Sequence, residues 1–466
     1  MRGNFMSIMK YPSLLLLFLA LTICVSNTQA GVSDTEALQL GASLTPFGAE
    51  KAGNRDGTIP PYTGGLPVND FPPDFQKGSG RWTNPFPNEK PLYSITGRNM
   101  GEHANKLSES SKALFRLYPA YRMDIYPSHR SVSYPAWVLD NILKNAINAR
   151  LSKEGLAVEG AVGGIPFPIP KNGYEVMWNH MLVYNGYPAE YRGRNWYVDS
   201  NGHAVNTGEL KCSLQSKYYT PGWGPDELKK NGNSFFEPAY HFTAPPQAAG
   251  NAAYSVDTLD PVEQPRRAWS YSAASRRIRI APDYSYDTPI ASQGGIAAYD
   301  EGYLFLGRLD LFDFTLIGKR EMYIPYNNYS LVFQSRASQI LTPNYLNPDF
   351  VRWELHRVWV VEAIRKPGKK HNLSRRIFYL DEDWSGGGMS DAYSRNNQLS
   401  KGMFIAQTPL YDVQMPLARC YWAYDLLDNM YTLIQHFGDP GMGYQLRPGG
   451  FPPLTFTPDA LPNRGR

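Results

Sequence analysis

Cysteine is scarce in this chain, three residues in 466, and one of them, Cys24, falls inside an apolar N-terminal run. So few thiols exclude a scaffold built on disulfides. With no Cys-x-x-Cys and no His-Glu-x-x-His, and with the eight His residues scattered, the sequence indicates no metal site. It requires no cofactor either. A surplus of charge is also missing: 46 Lys plus Arg stand against 42 Asp plus Glu, which excludes a nucleic-acid or polyanion partner. After residue 30 no segment approaches the roughly 18 uninterrupted apolar residues of a membrane helix. No Gly-x-Ser-x-Gly elbow marks a nucleophile, since Ser385 and Ser390 lie in and beside a Gly-rich turn.

Aromatic residues, glycine and proline are plentiful, with 32 Tyr, 21 Phe, 10 Trp, 41 Gly and 38 Pro. That mix favours strands joined by many turns. The first thirty residues have the layout of a secretion signal: Arg2 and Lys10, an apolar run from Leu14 to Val25, and the small-residue site Thr28-Gln29-Ala30. Cleavage is expected near Ala30, leaving 44 basic against 42 acidic residues and a soluble protein. Lipidation at Cys24 is disfavoured because Ile23 stands where a small residue is needed. The two remaining cysteines, Cys212 and Cys420, are either a long-range disulfide or two buried thiols, since spacing alone does not give proximity.

Residues 31–101 form a Gly/Pro-rich N-terminal segment. Asn54-x-Asp56-Gly57 within it resembles the middle of a calcium loop but lacks the end ligands, so a turn is expected. Glu102–Leu117 and Pro135–Ser152 carry helical stripes, and Asn172-Gly173-Tyr174-Glu175 is a helix start of capping-box type. Alternating prolines in Ile165–Pro170 require an extended segment, which is either a clamp across a sheet or a flap over an entrance. Asn201-Gly202 marks a hairpin. Pro221–Gly250 reads as loop, its Pro245-Pro246 run dividing two halves of one sheet. Trp269-Ser270-Tyr271 and Arg276–Ile280 flank a small polar turn and make another hairpin, Phe312–Ile317 and Glu321–Pro325 a third, and Trp353–Ile364 with Arg375–Leu380 a fourth. A Pro/Gly-rich tail covers 438–466.

The Trp-x-Tyr, turn, Arg-Arg-x-Arg pattern beginning at Trp269, and the later Lys319–Tyr326 strand, resemble domain-of-unknown-function family 1329. So do Leu40–Gly65, Gly163–His180 and Arg352–Ala363, so that the resemblance covers nearly the whole chain after the leader. It implies a periplasmic protein similar to LolA/LolB-like lipoprotein-sorting carriers. The expected fold is α+β and β-rich: a large curved antiparallel sheet, a half-open barrel, with helices packed on its concave face, in one domain over 102–437. The expected function is binding and shuttling of a lipid, lipoprotein or other hydrophobic molecule. Because members of the family are often encoded near efflux-type transporters and outer-membrane barrels, such a protein is an expected partner.

Candidate wall residues for the ligand are Trp269, Tyr271, Ile278, Ile280, Trp353, Leu355 and Trp359, if those strand faces point inward. Arg276, Arg277 and Arg279 are either a basic sheet face paired with neighbouring carboxylates or a docking patch for an anionic partner. His356, on the polar face of its strand, is expected to be structural, and Asp381-Glu382-Asp383 to be a solvated strand end. No catalytic residue is identified. The alternative function is a secreted hydrolase of glycans or esters, which would need two facing carboxylates about 5 to 10 Å apart in a cleft. A third reading, an outer-membrane barrel, is opposed by the helices and by the Pro462–Arg466 ending.

Overall fold

Period-two stretches bounded by glycine and proline give this chain its strands, and one sheet takes up most of them. The computed structural model describes residues 31–186, 188–282, 284 and 286–463; the expected leader lies outside the described residues. In chain order the elements are α1 (Asp34–Ala37), β1 (Tyr93–Thr96), α2 (Glu109–Leu117), β2 (Arg122–Ile125), α3 (Ala136–Asn148), β3 (Arg150–Ser152), β4 (Ala157–Glu159) and α4 (Gly173–Met181). A first meander follows: β5 (Ala189–Val198), β6 (Ala204–Gln215), α5 (Pro225–Lys230), β7 (Ser234–Ala244), β8 (Ala252–Thr258), β9 (Arg267–Ser272) and β10 (Arg277–Ile280). The second contains β11 (Phe312–Pro325), α6 (Ala337–Ile340), β12 (Trp353–Arg365), β13 (Leu373–Asp381), β14 (Gly388–Ser394), β15 (Leu399–Ile405), β16 (Thr408–Leu410), β17 (Met415–Leu417), β18 (Tyr421–Asp425), β19 (Met430–His436) and β20 (Gly443–Leu446).

The large sheet runs β1-β2-β12-β13-β14-β15-β18-β19-β5-β6-β7-β8-β9-β10, with β11 on β12 and β20 on β5. It is antiparallel except for a single parallel contact, Trp353 with Ile125, and it stays open. The join between the meanders is β19 against β5, so the expected division at Pro245-Pro246 is instead the β7–β8 turn. The α+β, β-rich architecture is therefore present. Helix α4 packs on β11 and β12, and α2 on β15.

Local chemistry explains the element ends. Ser108 caps α2 by accepting from the Ser111 N–H, so the stripe expected over 102–117 is a 3₁₀ turn (Met100–Lys106) and then a helix. Asn172 caps α4 through the Glu175 N–H, while the Glu175 carboxylate accepts from the Lys171 N–H and the Asn172 side-chain amide instead of the cap's backbone N–H. The pair of strands expected around Gly318 is one strand, β11, whose register shifts between Leu316 and Gly318. Gly318 has φ of 132°, a conformation glycine takes in a bulge. Cys212 in β6 and Cys420 beside β18 are buried and not bridged to each other. Two strands separate them, roughly 14 Å at the usual strand spacing, which is beyond disulfide reach.

The core is aromatic. Trp353, Phe404 and Trp422 from β12, β15 and β18 meet, Phe404 stacking on Trp422 at 5.3 Å between centroids and meeting Trp353 edge-on at 5.6 Å. The N-terminal segment joins this core through Phe47, Ala49, Ile59 and Trp82. Its Asn54 side chain accepts from Ile59 N at 2.9 Å, closing the expected turn. The proline-rich segment is clamped: Asn179 of α4 bonds both backbone groups of Phe167, and Asn145 of α3 bonds the Gly164 carbonyl.

Candidate binding cavity

Between β10 and β11 the described residues of the segment 281–311 leave the sheet and fold across it. Short 3₁₀ turns and the Gly294-Gly295 pair keep this cover segment irregular, and two buried acids pin it. Asp300, 2% exposed, accepts from His371 Nε2 at 3.0 Å and lies 3.3 Å from Arg376. Glu301 accepts from the Ala298 N–H and pairs with Lys401 at 2.7 Å. Arg376 also donates to the Leu304 carbonyl at 2.6 Å. Burial alone would raise the pKa of Asp300, but the His371 hydrogen bond and the Arg376 charge outweigh it and lower it. Removing one partner from such a pair strands a buried charge, at a cost of about 3–5 kcal/mol.

Beneath the cover lies a cavity of about 150 Å³. Its sheet wall follows from alternation and register. Phe236, Pro238, Tyr240 and Phe242 all project from one face of β7, and the partner of Tyr240 on β8 is Ala253. Large side chains on one strand opposite small ones on the next leave a hollow. The cover adds Tyr284, Gln293, Tyr299 and Tyr303, and β18 adds Tyr421. Arg419 lies over Tyr303 at 4.8 Å and over Phe236 at 5.5 Å, a cation–π arrangement at the cavity's edge.

Polar groups on this wall are few and mostly committed. Gln293 donates to the Tyr421 hydroxyl at 2.9 Å, Gln435 to that of Tyr303 at 3.0 Å, and Arg266 to Asp257 at 2.6 Å. Burial raises the Tyr421 and Tyr240 hydroxyls far above the ordinary phenol range, so both remain protonated. Gln293 Oε1 and Asp257 Oδ2 are buried without a partner among the described residues. A hydrocarbon cavity of this volume holds about one benzene. This one differs in its tyrosine hydroxyls. It can enclose a ring or a short chain end.

The residues picked out in sequence lie elsewhere. Trp269, Tyr271 and Ile278 face the opposite side of β9 and β10, where Phe456 and Leu461 of the C-terminal segment cover them; Trp269 stacks on Tyr254 there at 5.5 Å. Ile280 is 75% exposed. Trp353 and Leu355 are core residues, and half-buried Trp359 carries Lys319 Nζ at 4.6 Å from its ring. None of the seven lines the cavity. Arg276, Arg277 and Arg279 are exposed on the hairpin that ends the sheet, with no ion pair to any described residue. The signal that sequence reading missed is the Phe236-x-Pro238-x-Tyr240-x-Phe242 alternation, hidden because a proline sits inside the strand.

A second polar region lies at the β12–β13 end. The pairing of Val358 with Asp381 puts His356 across from Asp383. The segment read as a solvated strand end is thus buried, Asp381 at 1%, Glu382 at 5% and Asp383 at 3% exposed.

The sheet, its cover and the small aromatic cavity define the molecule as an open-sheet α+β protein with a partly covered pocket. The chain belongs to the family described as protein of unknown function (DUF1329), whose model matches residues 94–462. A Pseudomonas aeruginosa relative, described as uncharacterized protein PA3922, is 36% identical over 449 residues, covering 96% of this chain and 97% of its own. Among solved structures, a domain provisionally assigned to outer membrane lipoprotein sorting from Vibrio parahaemolyticus has a TM-score of 0.42 at 13% identity, covering 62% of this chain and 98% of that one. A DUF1329 family protein from Desulfovibrio piger has a TM-score of 0.40 at 14% identity, over 61% and 95% of the two chains.

Proposed function

We propose that this protein is an envelope carrier that holds a hydrophobic molecule by a ring or chain end in the tyrosine-walled cavity, with no bond made or broken. The cavity is the observation that carries this reading. Burying about 150 Å² of apolar ligand surface at ~25 cal/mol per Å² supplies about 4 kcal/mol, which corresponds to roughly millimolar affinity. Tighter binding requires more of the ligand to be covered. The cargo that fits best is therefore compact and apolar. The secretion-type first thirty residues support a periplasmic location. The exposed Arg276, Arg277 and Arg279 at the sheet edge suit docking to an acidic face of an envelope transporter or outer-membrane barrel.

A hydrolytic reading gains nothing from the meeting of Asp381 and Asp383, because no water-sized space adjoins them. The test of the carrier reading is organic extraction and mass spectrometry of the protein purified from periplasm without detergent, beside a folded Ala253→Leu variant. A stoichiometric hydrophobic compound present in the first and lost from the second is expected. A protein that is empty and also ignores fluorescent lipid and aromatic probes would sink the reading.

A further inference from the structure

The N-terminal segment, β12 and the turn after β13 enclose an unusual density of buried charge. Arg130 grips Asp383 through both carboxylate oxygens, at 2.9 and 2.6 Å. Arg352 pairs with Glu354 at 2.5 Å and Glu89 at 2.6 Å, and Lys319 pairs with Glu382 and Glu50. Arg357 lies 3.4 Å from Glu50 and 4.0 Å from Glu382. These four cations face six carboxylates, counting Asp381. Asp381 is the carboxylate in this group with no cation at ion-pair distance among the described residues; it accepts only the Gln407 amide at 3.1 Å and the Asp383 N–H at 3.3 Å. A buried carboxylate so placed is costly unless something positive joins it.

Three side chains converge at that point. A ring nitrogen of His356 and one oxygen each of Asp381 and Asp383 all lie within 4.8 Å of one another. Glu354 takes His356 Nε2 at 3.1 Å, which fixes the imidazole as a carboxylate fixes a metal-ligating histidine. Tyr326 is an independent indication. Its ring stacks on His356 at 3.7 Å between centroids and 12° between planes, and its hydroxyl, fully buried, has no partner among the described residues.

We infer that His356, Asp381 and Asp383 form a binding site for one divalent first-row transition-metal ion, with the Tyr326 hydroxyl as a further ligand or as a hydrogen-bonded neighbour. One imidazole with two carboxylates is a mixed nitrogen and oxygen set that suits zinc or manganese. Arg130 does not block it, since each carboxylate oxygen engaged by the guanidinium keeps a second lone pair. With no room beside it for a water molecule, the ion is structural. It ties β12 to the end of β13 and the turn that follows it.

The experiment uses the full secreted chain, purified without chelator, with metal content measured by inductively coupled plasma mass spectrometry. About one equivalent of zinc or manganese per chain is expected in the wild type and less than a tenth of that in His356→Gln and Asp381→Asn. After chelation, micromolar Zn²⁺ or Mn²⁺ should raise the melting temperature of wild type but not of either variant. Tyr326→Phe, which keeps the stacked ring, tests the site where the other variants fail to fold, and a roughly tenfold weaker metal affinity is expected for it. Metal-free wild type with no thermal response overturns the site. So does metal retained by both variants, and a response only to Ca²⁺ or Mg²⁺ overturns the choice of ion. Extraction of cargo from the same preparations reports on the cavity independently.

Discussion

The molecule has two buried polar regions, and they solve opposite problems. Under the cover segment there is space with little charge: about 150 Å³ walled mainly by tyrosines, with one ion pair, Arg266–Asp257, on the wall and the others set back at Asp300 and Glu301. At the β12–β13 end there is charge without space. The difference shows what each can exchange with its surroundings. A cavity with soft aromatic walls can take in and release a neutral molecule by moving one segment. A sealed array of ion pairs can hold only something small and charged, and keeps it as long as the chain is folded.

Breaking the anchors tests the first half of that contrast and gives the largest effect. Arg376→Ala leaves Asp300 buried beside His371 alone, and a loss of about 3–5 kcal/mol is expected from the urea midpoint, together with loss of extracted cargo. An unchanged midpoint would show that the cover is not pinned by this pair. Next in size is the charged end. Arg130→Met alone should cost about 3–5 kcal/mol, whereas Arg130→Met combined with Asp383→Leu should recover much of it, because neither partner of the pair is left behind. Equal losses in the single and double variants would mean that the pair contributes net stability.

Acid sharpens the comparison further. The Asp300 pKa is lowered in the folded chain, so its contribution is fully present above the unfolded carboxylate range and is lost as pH falls below about 4. Amide protection factors in the described residues of 281–311, with the intrinsic exchange rate divided out, should therefore fall between pH 5 and pH 3 in wild type, and fall less in Asp300→Asn. Filling the cavity should barely alter stability: Ala253→Leu is expected to stay within about 1 kcal/mol in calorimetry while reducing probe binding at least tenfold. The smallest effect belongs to Ile280→Ala, within about 0.5 kcal/mol and with cargo unchanged. A loss of cargo there would return the binding wall to the outer face of β9 and β10.

Sequence legibility followed the range of the interactions involved. The turns at Gly202 and between Tyr271 and Arg277 are written in neighbouring residues, and so is the alternation of β12; all three were legible. Strand β7 was obscured by Pro238, and β11 was divided in two because a bulge glycine looks like a turn glycine. The cavity was not legible at all. Its wall depends on which strand lies beside β7 and on a cover segment that reaches Arg376 and Lys401 from far along the chain. His356 and Asp381-Glu382-Asp383 were each visible as polar anomalies. Only the β12–β13 register shows that they are one cluster, and only the packing of the N-terminal segment shows that it is buried.

The seam between β5 and β19 has a consequence for how the protein is made. Trp196 and Thr432, bonded across it, stand 236 positions apart, so β5 emerges long before the strand that will flank it. Until then the first meander exposes a raw edge of backbone donors and acceptors. Non-local pairing of this kind folds slowly and is open to aggregation while it waits. A chain shortened before Met430 would keep every strand of the first meander and still lack the partner that completes β5. For this protein the last tenth of the polypeptide decides the fate of the middle.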